Sequence, residues 1–165
     1  MNFDDVKVTE ADQRLGGIFK DKRICAEALQ MRGPVSLMVV SGAYQKIESN
    51  KRLSILGDAV LTNSLCNIWY ASQDNKGRPQ PPHVWTTIRD KLLGNDSLAR
   101  RGKIIGIQDC IIMSDGTPVP SDSMIAITLK ALVGGVYRDG GQEAVDKVIS
   151  TLGLDKHDAL MPDSH

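Results

Sequence analysis

Aromatic residues are scarce in this 165-residue chain: two Phe, two Trp and three Tyr, 4% of the sequence. That shortage disfavours a β-sandwich, whose strands draw on aromatic and β-branched side chains. Ala, Leu, Ile, Val and Met supply the apolar positions instead, as helix packing prefers. Cysteine is short as well. Cys25, Cys66 and Cys110 are widely spaced, odd in number and contain no CxxC pair, which argues against a disulfide framework and a zinc site and points to a reducing, intracellular setting. No charge of either sign is in excess: 20 Lys and Arg balance 20 Asp and Glu. Nucleic-acid contact would therefore need a local basic patch. No apolar run approaches the roughly 18 residues of a membrane span, so no membrane partner is expected. The start, Met1-Asn2-Phe3-Asp4-Asp5, has neither a secretory core nor Arg-rich transit character.

The residues that are plentiful read as one domain of helices. Thr9 followed by Asp12 resembles a capping box opening a short helix that ends near Gly16-Gly17. Asp21 caps a second helix through Ile24, Cys25, Ala28 and Leu29, closed by Gly33-Pro34. The apolar, β-branched run Val35 to Val40 fits a strand or a buried helix equally, and residues 33–49 stay open. From Asn50 to Tyr70 one long helix carries Leu53, Ile55, Leu56, Ala59, Val60, Leu61, Leu65 and Ile68 on more than one face, so it belongs at a domain centre or an interface. A Pro-rich loop over 73–82 leads to a helix from His83 to Leu93, stopped at Gly94, and to another capped by Asp96 or Ser97. After the loop Asp115-Gly116-Thr117-Pro118, a second apolar helix spans Asp122 to Asp139. Gly140-Gly141 breaks it before a final amphipathic helix. Residues 1–8 read as an N-terminal extension, 9–154 as the domain and 155–165 as a flexible tail.

The segment from Asn50 to Leu61, NKRLSILGDAVL, resembles the signature helix of the ribonuclease III family, N-E-R-L-E-F-L-G-D-A-V-L. Ala126 to Gly141, AITLKALVGGVYRDGG, is similar to the second hallmark, A-D-x-x-E-A-L-I-G-A-I-Y-L-D-G-G. Between them, Arg89 to Ala99 resembles R-x-x-L-V-x-N-x-x-L-A, and Leu15 to Leu29 resembles the opening L-G-Y-x-F...E-A-L. The resemblance implies an all-α, ribonuclease III endonuclease-domain-like fold that dimerises through the signature helix. Leu53, Leu56, Val60, Leu61 and Leu65 are the interface candidates, and the expected partner is a second copy or an active ribonuclease III-like chain.

The resemblance also implies four carboxylates around divalent metal: two on the signature helix at i and i+4, and two on the second at i and i+3. Carried over one at a time, they fall on Ser54, Asp58, Ile127 and Lys130, so only Asp58 remains an acid. Mg2+ requires hard oxygen ligands in octahedral array; a serine hydroxyl is a weak ligand, isoleucine is none and lysine opposes a dication. No catalytic residue set is therefore intact, and no metal or cofactor is expected; Mg2+ would enter only if the site were active after all. Lys130, with Lys51 on the same stripe as Ser54 and Asp58, is expected to pair with Asp58 in place of metal.

Arg89, Lys91, Arg100, Arg101 and Lys103 form the best local basic cluster and are the candidates for double-stranded-RNA contact. A solvated helix face is the alternative. His83, His157 and His165 have no ligand spacing, and Cys66 reads as a small buried apolar side chain. Gly134-Gly135 inside a helix predicts a close helix approach. The favoured function is an inactive, dimeric ribonuclease III-like scaffold or double-stranded-RNA-associated module. The competing functions are a structural ribonucleoprotein component, like the ribonuclease III-like folds of mitochondrial large ribosomal subunits, and a metal-dependent endoribonuclease using Asp58 with Glu48 or Asp122.

Overall fold

The acidic N-terminal segment is the start of the first helix. In the computed structural model, which describes residues 2–116, 119–157 and 160, α1 runs Phe3–Arg14, and the Asn2 side chain accepts from the Asp4 N–H at 2.9 Å. Thr9 thus lies inside α1 and is not its cap. Asp12, the other half of the apparent capping box, is buried; it accepts from the Phe19 N–H at 2.8 Å and pairs with Lys22. A carboxylate at that spacing from a threonine signals a cap only when both side chains face the free N–H groups. Here the carboxylate faces the following loop.

Asp21 caps α2 (Lys22–Leu29) through the Arg23 N–H, as its sequence position predicts. The open segment 33–49 is a two-stranded antiparallel hairpin, β1 (Val35–Val40) and β2 (Ala43–Glu48), in register from Val35 opposite Glu48 to Val40 opposite Ala43. Its turn, Ser41-Gly42, has φ of 54° and 81°, the doubly left-handed turn that matches strand twist. Ser36, Met38, Val40 and Ile47 face inward. Buried Gln30 ties the hairpin base down by donating to the carbonyls of Gly33 and Ile47 at 2.9 and 3.1 Å. The hairpin is the one departure from a purely helical chain among the named elements.

Next come α3 (Lys51–Ala71), α4 (Pro82–Leu93), α5 (Asn95–Ile105) and a 3-10 turn at Ile107–Asp109. The last element, α6 (Asp122–Leu152), is capped by Ser121, which accepts from the Met124 N–H at 3.2 Å. It is interrupted at Gly141, where φ 72° and ψ −168° leave helical space. The expected break at Gly140-Gly141 is therefore present, but helix resumes beyond it and runs to Leu152. The cap of α5 differs from expectation: Gly94 fills that position, not Asp96 or Ser97, and the same residue also ends α4.

The core is the crossing of α3 and α6, set by two glycines. A Cβ on Gly57 would lie 1.6 Å from the Lys130 carbonyl oxygen, and one on Gly134 would lie 2.2 Å from that of Leu53. No larger residue fits either place. Around the crossing Leu61, Leu65, Leu129, Leu132 and Val133 are almost wholly excluded from solvent, each worth about 1.5–3 kcal/mol relative to exposure. A polar pair is sealed in with them. Asn50, 1% exposed, donates to the Ala28 carbonyl at 3.1 Å and to the Thr128 hydroxyl at 3.3 Å, joining α2, α3 and α6. No helix among the described residues is long and apolar enough to cross a membrane. Part of the expected loop (117–118) and most of the expected tail (158–159 and 161–165) lie outside the described residues; Leu160 is buried.

Candidate functional site

The glycine crossing fixes which side chains of α3 and α6 meet. Asp58 follows Gly57, and Lys130 stands one helical turn before Gly134, so the two side chains emerge on the same side of the contact. Lys130 Nζ lies 3.2 Å from Asp58 Oδ1, with the Asp58 side chain 57% exposed and that of Lys130 20% exposed. The expected pairing of Lys130 with Asp58 is thus present. Lys51 is exposed and forms no ion pair with Asp58. Ser54 donates its hydroxyl to the Lys51 carbonyl at 2.7 Å, a bond internal to α3, and Ile127 is half-buried on α6.

This donor set does not fit a divalent metal. Asp58 contributes one negative charge and Lys130 one positive charge, which sum to zero. An ammonium about 4 Å from a dication opposes it by about 2 kcal/mol in water and about 8 kcal/mol at an effective dielectric of 20. Neither alternative acid makes up the deficit. Asp122 pairs with Lys103 at 2.6 Å, and Glu48 stands at the hairpin base in a recess with Lys51 and Arg52. Among the described residues, no three His, Cys, Asp or Glu side chains come together as metal ligands would.

Beside Asp58 is a depression of about 370 Å³ lined also by Thr62, Arg89, Asp90, Leu93 and Gly94. The structure therefore brings Arg89 to the Asp58 centre and separates it from the rest of the basic cluster. Lys91 and Arg100 line a second recess, at the junction of α4 and α5. Arg101 is structural. Half-buried, it donates to the Leu152 carbonyl at 2.8 Å at the end of α6, and burial lowers its pKa. Lys103 is taken up by Asp122. Five cations grouped in the sequence thus become four separate environments, because α4, the α5 N-terminus and the two ends of α6 present different surroundings. Asp90 and Ser97 in these recesses carried no signal in the sequence beyond their place at a helix junction.

The apolar residues of α3 are divided in the same way. Leu53, Val60, Leu61 and Leu65 are buried inside this domain, and Leu56 packs half-buried against them. The large apolar side chains α3 leaves uncovered are Ile55, 73% exposed, and Tyr70, 80% exposed. With exposed Ala59 and half-buried Cys66 they recur at spacings of four, seven and four residues, which is one stripe of a helix. Cys25 and Cys110 lie in the core, where burial pushes the Cys25 thiol far up and that of Cys110 up to about 11; neither is a nucleophile.

A family model described as ribonuclease-III-like matches residues 37–156. Ribonuclease 3 of Caldanaerobacter subterraneus is 31% identical over 149 residues, which cover 88% of this chain and 61% of that protein. Ribonuclease 3 of Nitrosomonas eutropha is 27% identical over 148 residues, covering 87% and 54%. The chain therefore spans between half and two thirds of the length of these curated relatives. The nuclease domain of a Campylobacter jejuni ribonuclease III, described as flexible in a region involved in dimer formation, superposes with a TM-score of 0.70 at 23% identity. That match covers 90% of this chain and 96% of the domain, and it is a likeness of fold.

Proposed function

The chain belongs to the ribonuclease III-like family, and we propose that within it this protein is a member that does not cut: a dimeric scaffold associated with double-stranded RNA. The observation that carries the reading is the Lys130–Asp58 contact at 3.2 Å. Metal-assisted hydrolysis of a phosphodiester needs ligands that hold a dication and stabilise the negative charge of the attacking and leaving oxygens. Here the one carboxylate left at the four positions is matched by an ammonium on the facing helix. Ser54 hydrogen-bonds along its own helix, and Ile127 offers no lone pair. The site retains shape and a charge-neutral floor, which suits contact without chemistry.

The dimeric part rests on the uncovered α3 stripe at Ile55, Ala59, Cys66 and Tyr70. A second copy placed along that stripe covers the two most exposed apolar side chains of the helix. The similar Campylobacter domain has a region involved in dimer formation, which supports a dimer without naming its face. The RNA part rests on Arg89 beside Asp58 and on Lys91 and Arg100 at the neighbouring recess.

Duplex RNA incubated with the protein and Mg2+ or Mn2+ is expected to stay intact, with no difference between wild type and Asp58→Asn. Metal-dependent cleavage lost in Asp58→Asn overturns the reading. A gel-shift titration at low salt tests association separately, and an absence of any retarded complex removes RNA from the proposal while leaving the non-cleaving scaffold.

A further inference from the structure

We propose that the α4–α5 junction is a phosphate-binding site. Gly94 ends one helix and begins the next, so no side chain caps α5. The N–H groups of Asn95, Asp96 and Ser97 open the helix and have no partner within it. Asn95, Asp96 and Ser97 line a recess of about 290 Å³ whose walls also include Lys91 from the last turn of α4 and Arg100 from α5. Neither cation is held in an ion pair among the described residues.

The second observation is Ser97. It is 6% exposed, it lines the same recess, and its hydroxyl has no hydrogen-bond partner. The Ser97 Oγ is sealed from solvent, but side chains on a helix lean toward the N-terminus, so rotation about the Ser97 Cα–Cβ bond turns this hydroxyl toward an anion held at the free N–H groups. A buried hydroxyl without a partner is unfavourable unless something completes it. A tetrahedral oxyanion does so: one oxygen accepts from Ser97 Oγ and the helix N–H groups, while the remaining charge faces Lys91 and Arg100. A metal cation in the same place would meet two positive side chains and three N–H donors.

Asp90 and Asp96 also line the recess, and both are exposed. Their charges are screened by solvent, but Asp96, in the first turn, competes with an anion for the helix end. The site is therefore one of moderate, salt-sensitive affinity. It shares Asp90 and Gly94 with the depression beside Asp58, so a strand lying across Asp58 would bring a backbone phosphate to α5. That source depends on the proposed RNA association; the site itself does not.

The test is an amide-resolved NMR titration of the full chain with inorganic phosphate, at ionic strength held constant with sodium chloride. Saturable shifts at Asn95, Asp96 and Ser97 are expected, with affinity at least fivefold weaker in Ser97→Ala and stronger in Asp96→Asn. Arg100→Gln, an exposed position, serves as the second weakening variant should Ser97→Ala perturb the spectrum elsewhere. A short RNA duplex moving the same amides, in competition with phosphate, identifies a backbone phosphate as the ligand. Shifts with phosphate alone identify a small phosphate compound and sustain the site without RNA. No saturable shift at these amides with either probe, or affinity unaltered by the weakening substitutions, overturns it.

Discussion

Lys130 reaches Asp58 across the α3–α6 crossing at 3.2 Å, and the lysine is the better buried partner. The exposed carboxylate limits the stabilisation from this pair to about 1 kcal/mol or less. Its effect on metal is larger than its effect on folding, because it cancels the one negative charge left at the four positions.

Replacing that neutrality with net negative charge should therefore create a metal site without rebuilding the fold. The variant Ser54→Glu, Ile127→Asp, Lys130→Glu, with Asp58 retained, is expected to bind Mn2+ saturably in calorimetry, while the wild type gives only dilution heat. Saturable Mn2+ binding by the wild type that disappears in Asp58→Asn would show that a ligand set exists despite Lys130.

The crossing tolerates no added carbon. Gly57→Ala places a Cβ 1.6 Å from a backbone oxygen, and the helices must separate. Urea denaturation should show a loss of about 3 kcal/mol or more. Gly16→Ala and Gly116→Ala, where nothing lies within 4 Å of the added carbon, serve to calibrate conformational and steric cost. Only the first of these has a positive φ, of 95°.

Core and interface roles on α3 should separate cleanly. Leu61→Ala, at a fully buried position, should cost about 2–5 kcal/mol of stability and leave the oligomer unchanged while the protein is folded. Ile55→Asp should leave helix content unchanged and halve the mass seen in light scattering. A monomeric wild type, or an Ile55→Asp protein that stays dimeric, would rule out this face.

Glu27 predicts a pH dependence. Burial, opposed by Arg52 and Arg23 and reinforced by the nearby Glu48, raises its pKa above the ordinary 4.5. The folded state thus binds this proton more tightly than the unfolded one. The favourable contribution is complete below 4.5 and is lost as pH rises through the raised value. Glu27→Gln should melt higher than wild type at neutral pH, and the difference should vanish in acid.

The helices were readable where a short polar side chain has only one available role. Asp21 precedes apolar periodicity and caps the helix it introduces. Asp12 misleads because its carboxylate serves the Phe19 N–H seven residues on, a contact no local pattern encodes. The hairpin was undecidable because a short, largely apolar run fits a buried helix as well as a strand. The Lys130–Asp58 pair was legible through the matched segments. The division of the basic cluster was not, since Arg100 and Arg101 are neighbours in sequence and differ only in which side of α5 meets α6. The apolar positions of α3 posed the same problem: a helix apolar on several faces does not say which face its own domain will cover.

The Asn50 amide has a consequence for the order in which the molecule assembles. Its two bonds join positions 22 and 78 residues away, and the second partner belongs to the last helix. Until that helix docks, the amide is half-satisfied and α3 lacks the backbone against which Gly57 rests. Contacts of such long sequence separation form slowly. The neutral floor at Asp58 consequently requires α6 and is absent from any intermediate in which only the first two thirds of the chain has settled.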